Sequence, residues 1–292
     1  MEELKNKKIV LTGGSGFIGS HILSALKESG VSVENINGDI LDTDLMREAF
    51  KGAFAVVHQA GIPPIPLSVL NPLESHRVNV TGSLSVLVAA RDAKVDRVIY
   101  ASSTTVYGNN KILPKIETLI PDPCSPYSLQ KYEVELNAKL FYELYGLKTI
   151  GLRYSNVYGS GQNLDGNYVP VVSKFISLMK EGKVPQIFGD GKQVRDFVHI
   201  DDVVKANLLA LSVNSGYGEV YNIGSGESTS LLGLVDKINK ILNTNIVPEY
   251  LPKRQGDNPD SIIDITKAKK ILGYGPKVLF NEGLLKTIKH FK

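Results

Sequence analysis

The chain has 292 residues, enough for one large or two modest domains. Hydrophobic residues make up 42% and charged residues 22%, which excludes a disordered chain, a fibrous repeat and a small disulfide-stapled domain. A scattered net charge of +3 gives no basic stripe for nucleic acid, and no apolar run approaches the ~20 residues that span a bilayer. Cys124 is the only cysteine, so no internal disulfide and no thiolate zinc site can form. The charged start Met1–Lys8 runs straight into an apolar strand and does not read as a signal peptide. A cytoplasmic, metal-free protein is expected.

In chain order the first half alternates strand and helix. Lys8–Thr12 is a short β-type run. Gly16–Ser29 has helical apolar spacing (Phe17, Ile18, Ile22, Leu26) and stops before Gly30, a C-cap residue. Val31–Asn37 reads as a strand, Asp42–Phe50 as a short helix and Ala53–His58 as an apolar strand. Asn71-Pro72 opens a long helix to Ala93, with Asn71 as N-cap and Pro72 in the first turn. Arg97–Ser102 is a strand, Tyr127–Tyr145 a helix and Lys148–Tyr154 a strand. Such alternation with short buried strands predicts a doubly wound parallel sheet, covered on both faces. The second half is less regular and richer in Gly and Pro. The expected division is a nucleotide-binding domain over 1–155, with about 197–212 returning to it, and a smaller α/β cap over 156–196 and 213–292.

Gly13, Gly16 and Gly19 are spaced G-x-x-G-x-x-G between the first strand and the first helix. The first permits a tight turn, the second lets backbone approach a pyrophosphate, and the third lets helix pack on sheet. The helix N-terminus then offers amide donors to the anion. No Gly-Lys-Ser/Thr follows, so this is a dinucleotide loop and not an ATP loop.

Tyr127 and Lys131 lie four apart at a helix start and project from one face. A phenol titrates near 10 in isolation. An ammonium one turn away, with a nicotinamide cation nearby, favours the phenolate and makes a base near neutrality. Ser103 follows a strand and can share the same substrate oxygen. In isolation this pair is as consistent with a half-buried ring beside a solvated amine.

In combination the motifs are specific. The sequence resembles the extended short-chain dehydrogenases/reductases, and within them the NAD-dependent nucleotide-sugar epimerase/dehydratase family. The resemblance rests on Thr12-Gly-Gly-Ser-Gly-Phe-Ile-Gly-Ser-His21, Gly38-Asp-Ile40, His58-Gln-Ala60 and Asn79-Val-Thr-Gly82. It continues through Tyr100-Ala-Ser-Ser-Thr-Thr-Val-Tyr-Gly108, Ser125-Pro-Tyr-Ser-Leu-Gln-Lys131, Arg153-Tyr-Ser-Asn-Val-Tyr-Gly159, Gly189-Asp-Gly-Lys-Gln-Val-Arg-Asp196 and Arg254-Gln-Gly-Asp257. It implies a Rossmann-type domain with a substrate-binding cap. It implies NAD as cofactor, held by Gly13, Gly16, Phe17, Ile18, Asn37, Asp39, Ile40, Gln59, Ala60, Asn79 and Lys131. It makes Tyr127 the catalytic acid/base, Lys131 its partner and Ser103 its helper. It places Thr104, Asn156, Asn167, Phe188, Arg195, Arg254, Asp257 and Ser261 against the substrate, with Arg195 and Arg254 gripping a UDP pyrophosphate through planar forks.

Dehydratases and UDP-xylose-forming decarboxylases of this family usually carry a carboxylate where this chain has Ser103-Thr104-Thr105. Simple epimerisation remains, so the resemblance implies a UDP-hexose 4-epimerase of the UDP-glucose or UDP-N-acetylglucosamine type. A UDP-glucuronate or UDP-pentose 4-epimerase is the alternative within the class. A catalytically silent NAD-binding sensor or scaffold is the alternative outside it. In the family, the residue seven after the Arg of the Arg-x-Gly-Asp motif gates sugar size, and here it is Ser261. The helices Pro72–Ala93 and Tyr127–Tyr145 carry apolar residues on more than one face, and by resemblance pair two subunits into a homodimer.

The interval between Gly19 and Gly38 is short and leaves room for one helix and one strand, so one strand–helix unit is expected to be missing. The acid that binds the adenosine ribose, about 20 residues past the glycines, is displaced with it. Asn37 takes its place in one register and Asp39 sits near the adenine in the other. No Arg or Lys lies between Lys27 and Arg47 to hold a 2′-phosphate, which favours NAD.

Overall fold

The structure is a computed structural model that describes residues 2–162, 164, 169–252 and 260–291. After a short 3-10 turn at Glu2–Leu4 come β1 (Lys8–Thr12), α1 (Phe17–Glu28), β2 (Ser32–Ile36), α2 (Thr43–Phe50) and β3 (Ala55–His58). Next come α3 (Ile65–Leu70), α4 (Pro72–His76), α5 (Ser83–Asp92), β4 (Arg97–Ser103), α6 (Pro126–Tyr145) and β5 (Lys148–Tyr154). The remainder is β6 (Asn156–Tyr158), α7 (Val171–Lys180), β7 (Gln186–Phe188), β8 (Val194–Arg195), β9 (Phe197–His199), α8 (Ile200–Ser212), β10 (Glu219–Ile223), β11 (Thr229–Ser230), α9 (Leu231–Leu242), β12 (Glu249–Leu251), α10 (Thr266–Leu272) and α11 (Phe280–His290).

The main sheet has six parallel strands in the order β10-β5-β4-β3-β1-β2. Successive residues of a strand face opposite sides, and β1 shows the consequence. Ile9 and Leu11 pack with Ile22, Leu26 and Val203 on one face, while Val10 packs with Met46, Val86 and Val134 on the other. That two-sided burial is why inner strands such as β1 and β3 read as apolar runs. Beyond β1 the sheet ends with β2, as the short interval after Gly19 implies. Glu219–Ile223 departs from the expected division: it belongs to the segment assigned to the cap, yet it forms the opposite edge strand of this sheet. A separate core joins Phe175, Ile176, Ile187, Leu234, Ile238 and Leu284, from α7, β7, α9 and α11.

Local chemistry sets several boundaries. The Asp42 carboxylate accepts the Leu45 N–H at 2.9 Å and caps α2. Ser125 and Ser128 form a reciprocal capping box at the start of α6. Gly146 ends α6 in the left-handed region at φ +70°. The helix expected from Asn71 to Ala93 is interrupted. A π turn spans Arg77–Gly82 between α4 and α5, and the Asn71 side chain makes no cap bond. The turn widens where Asn79 is drawn out to the backbone of Ile62 and Ser83 Oγ bonds back to the Asn79 carbonyl at 2.6 Å. Helix α3, which precedes it, has no counterpart among the expected elements.

Candidate active site

The glycine-rich turn joins β1 to α1. Gly13 has φ +76°, and a side chain there would meet the backbone nitrogen of Ala60 at 2.5 Å. A Cβ on Gly19 would meet the Gly13 carbonyl at 2.1 Å, so the close packing of α1 against the turn needs glycine. Gly16 is the N-cap of α1 and makes no side-chain cap bond. A Cβ there would meet only the Gly13 carbonyl within 4 Å, at 3.3 Å. A helix start with no side-chain cap leaves its first amides to an anion, which fits the pyrophosphate of NAD.

The opposite wall is braced by buried polar groups. His58 bonds Thr12 Oγ1 through Nδ1 at 2.7 Å and Ser83 Oγ through Nε2 at 2.9 Å. Ser83 already donates to the Asn79 carbonyl, so Nε2 carries the proton and Thr12 donates to Nδ1. Burial, with the Lys131 charge nearby, pushes His58 down to about 3 and keeps it neutral. Asn79 accepts the Ile62 N–H at 2.7 Å and donates to the Ile62 carbonyl at 3.0 Å and to Gln130 Oε1 at 2.8 Å. Its side chain therefore positions the wall. Gln59 turns its amide to Tyr154 Oη and Asn207 Oδ1, which leaves its backbone beside Gly13. Ile40 is 5% exposed and packs in the core against Gly82. Phe17 meets His21 edge to face at 5.4 Å, and Ile18 packs partly buried against the core.

Tyr127 and Lys131 are both buried near the start of α6, and Ser103 is buried at the end of β4. Lys131 Nζ lies 5.9 Å from the Tyr127 ring centre and donates to the Ala101 carbonyl at 3.0 Å. Burial pulls Lys131 down to about 8, against the attraction of Glu135. Glu135 itself pairs with Arg153 at 2.6 Å, and Ser102 donates to its other oxygen. Ser103 Oγ accepts from Thr105 N at 3.2 Å and from Thr105 Oγ1 at 3.0 Å, which leaves its own proton to donate.

A pocket that starts at Thr104, the residue after Ser103, brings together Thr104, Asn156, Arg195 and Ser261, while Tyr127, Lys131 and Ser103 are not in its lining. Thr105, Tyr107, Lys115 and Asp260 also line it, and none of them was singled out from the sequence. Asp260 Oδ1 accepts the Val194 N–H at 2.9 Å and Ser261 N donates to the Val194 carbonyl at 3.1 Å, so the rim is pinned to β8. Asn156 donates to the Asp196 carbonyl through its backbone and its side-chain amide, each at 3.1 Å. Phe188 closes β7 and pairs with Leu251, outside the lining of this pocket. Asn167, Arg254 and Asp257 lie outside the described residues.

At the adenosine end neither expected residue makes the contact that stands out. Asn35 Oδ1 accepts the Gly14 N–H at 3.1 Å, and Asn35 Nδ2 donates to Asn37 Oδ1 at 2.8 Å. Asp39 accepts the Leu41 N–H at 3.0 Å and lies 3.9 Å from Arg77. The spacing rule of about 20 residues past the glycines could have pointed to Asn35. Among the described residues no group of three or more His, Cys, Asp and Glu is placed to hold a metal, and no helix is long and apolar enough to cross a membrane.

Comparison with known proteins agrees with this geometry. The family model for the NAD dependent epimerase/dehydratase family matches residues 9–224. The UDP-glucose 4-epimerase of Thermotoga maritima, solved with UDP-glucose, is 38% identical, with a TM-score of 0.93 over 97% of this chain and 98% of that one. The UDP-N-acetylglucosamine 4-epimerase of Methanobrevibacter ruminantium, solved with UDP-N-acetylmuramic acid, is 34% identical, with a TM-score of 0.92 over 98% of each chain. The UDP-glucose 4-epimerase of Mycolicibacterium smegmatis is 32% identical over 98% of each chain. The chain belongs to the NAD dependent epimerase/dehydratase family, and NAD is its cofactor.

Proposed function

We propose that the protein is a UDP-hexose 4-epimerase that inverts C4 through a transient 4-keto sugar. The observation that carries this reading is the pair Tyr127 and Lys131, buried near the start of α6, with Ser103 buried at the end of β4 and followed by Thr104 and Thr105, which line the pocket and carry no carboxylate. NAD, when bound, supplies a hydride acceptor and then a hydride donor, with no net redox change. Tyr127 Oη takes the C4 hydroxyl proton and returns it. Lys131, still cationic at neutral pH, favours the phenolate. Ser103 donates its free proton to the same oxygen. Gly13, Gly16 and the start of α1 hold the pyrophosphate of NAD, and Arg195 and Arg254 hold that of UDP. In this division 1–155 with about 197–212, joined by Glu219–Ile223, builds the cofactor domain and supplies the groups that act at C4, and the remainder holds the UDP-sugar.

The sugar pocket takes N-acetylhexosamines as well as plain hexoses, because Ser261 on its rim leaves space that a phenol ring would fill. Proton NMR should show UDP-GlcNAc converting to UDP-GalNAc as well as UDP-glucose to UDP-galactose. Ser261→Tyr should lower the first kcat/KM by at least ~10-fold and spare the second, on the usual scale for a steric pocket change. Equal effects on both sugars would remove Ser261 from the gate.

A second reading draws on Lys115. It is 3% exposed, lines the same pocket and donates from its ammonium to the Asn110 carbonyl, and a cation in the lining favours an acidic sugar. Turnover of UDP-glucuronate in preference to the neutral sugars would favour it.

The protein assembles as a homodimer. Leu129, Leu136, Leu140 and Leu144 make one exposed stripe along α6, and Leu73 on α4 is 88% exposed. A second copy placing the same stripe against this one would cover it. Sedimentation equilibrium should give twice the 31.8 kDa chain mass, and a monomer at micromolar concentration would contradict the assembly.

A further inference from the structure

The adenosine edge of the cofactor site is built from two neutral amides. Asn35 lies at the C-terminal end of β2, opposite Leu11 of β1 in the parallel register. It approaches the glycine turn so closely that a Cβ on Gly14 would meet Asn35 Oδ1 at 2.2 Å. That approach fixes the orientation of both amides. The Gly14 N–H needs an acceptor, so Asn35 presents Oδ1 to it and Nδ2 to Asn37. Asn37 must then accept through Oδ1, and its own Nδ2 turns away from the pair. The one amide N–H group of the pair left for a ligand is Asn37 Nδ2, while both oxygens already accept one bond. Family members that select NAD place a carboxylate at the ribose, which accepts from the 2′-hydroxyl and repels a 2′-phosphate. Donors suit either group. Each carboxylate near the pair has a cation within 4 Å: Glu34 has Lys8 at 2.9 Å, and Asp39 has Arg77 at 3.9 Å, a guanidinium it shares with Glu74.

We propose that this site also binds NADP, the 2′-phosphorylated dinucleotide, and that Asn35 and Asn37 are the pair that sets its selectivity. The proposal rests on the reading of Gly13–Gly19 as the dinucleotide turn. Isothermal titration calorimetry of the full chain with NAD and with NADP tests it without an activity readout. The two dissociation constants should agree within about tenfold. Asn35→Asp keeps an acceptor for the Gly14 N–H but adds the missing charge. It should weaken NADP by at least about tenfold and hold NAD as tightly as before, or tighter. If Asn35→Asp lowers the melting temperature, Asn37→Asp, at an exposed position, carries the same test. NADP binding more than about tenfold weaker than NAD in the unmodified chain would overturn the proposal. So would an unchanged ratio in a folded aspartate variant. Absence of NAD binding would overturn the dinucleotide reading beneath it, which is a distinguishable result.

Discussion

Tyr127→Phe is expected to lower epimerase turnover by ~10²–10⁴-fold, the usual size of a lost general base, while NAD still binds. The ring is buried at the start of α6, and its backbone N–H donates to Ser68 Oγ at 3.1 Å. Removing one oxygen leaves that packing and that bond in place. Lys131 keeps its bond to the Ala101 carbonyl, so the loss should fall on kcat with little change in KM or in melting temperature. Progress curves at saturating UDP-sugar, with a calorimetric NAD titration of the variant, separate the two effects. Retention of more than about a tenth of turnover would remove Tyr127 from the proton path.

Lys131→Met should abolish activity and yet stabilise the protein at neutral pH. Burial lowers this ammonium from 10.5 to about 8. The folded state therefore holds a charge that costs about 3 kcal/mol to keep buried at pH 7. Methionine fills similar space without the charge but gives up the bond to Ala101, worth about 1 kcal/mol. A net gain of about 2 kcal/mol raises the melting temperature by several degrees in a chain of this size. The sign with pH follows from the depressed folded value. The cost is full below about 8 and fades as pH rises from there towards 10.5, where the unfolded chain also loses the proton. Melting curves of both proteins at pH 7 and at pH 9.5 should converge at the higher pH. A variant less stable than the parent at pH 7 would show that Lys131 stabilises the fold instead of straining it.

Much of the architecture was legible because it rests on local signals. Strands buried on both faces leave apolar runs such as Ala55–His58, and Gly13, Gly16 and Gly19 mark a turn whose close contacts admit no side chain at Gly13 or Gly19. The π turn at Arg77–Gly82 was not legible, because it is imposed by Asn79 reaching across to Ile62, a contact with no trace in the spacing of its own helix. The place of Glu219–Ile223 in the main sheet was missed for a related reason. A strand does not announce its neighbour, and β10 pairs with β5 from a distant part of the chain. At the site, the motif residues Tyr127, Lys131 and Ser103 could be named from sequence. The groups that set their charge could not: Glu135 reaches Lys131 through its field and Arg153 through a buried ion pair. Asn35 carries no signal of its own in the sequence, because a shift of two residues preserves the side that a strand residue faces while changing which one meets the turn.

The central claim is C4 inversion by a recycled cofactor. The measurement that meets it most directly is proton NMR of purified protein incubated with UDP-galactose and NAD, followed alongside absorbance of the reduced nicotinamide. UDP-glucose signals should grow to an equilibrium mixture, with no reduced cofactor accumulating in proportion to product. No UDP-glucose from a folded, NAD-binding protein, or one reduced nicotinamide per sugar converted, would contradict it.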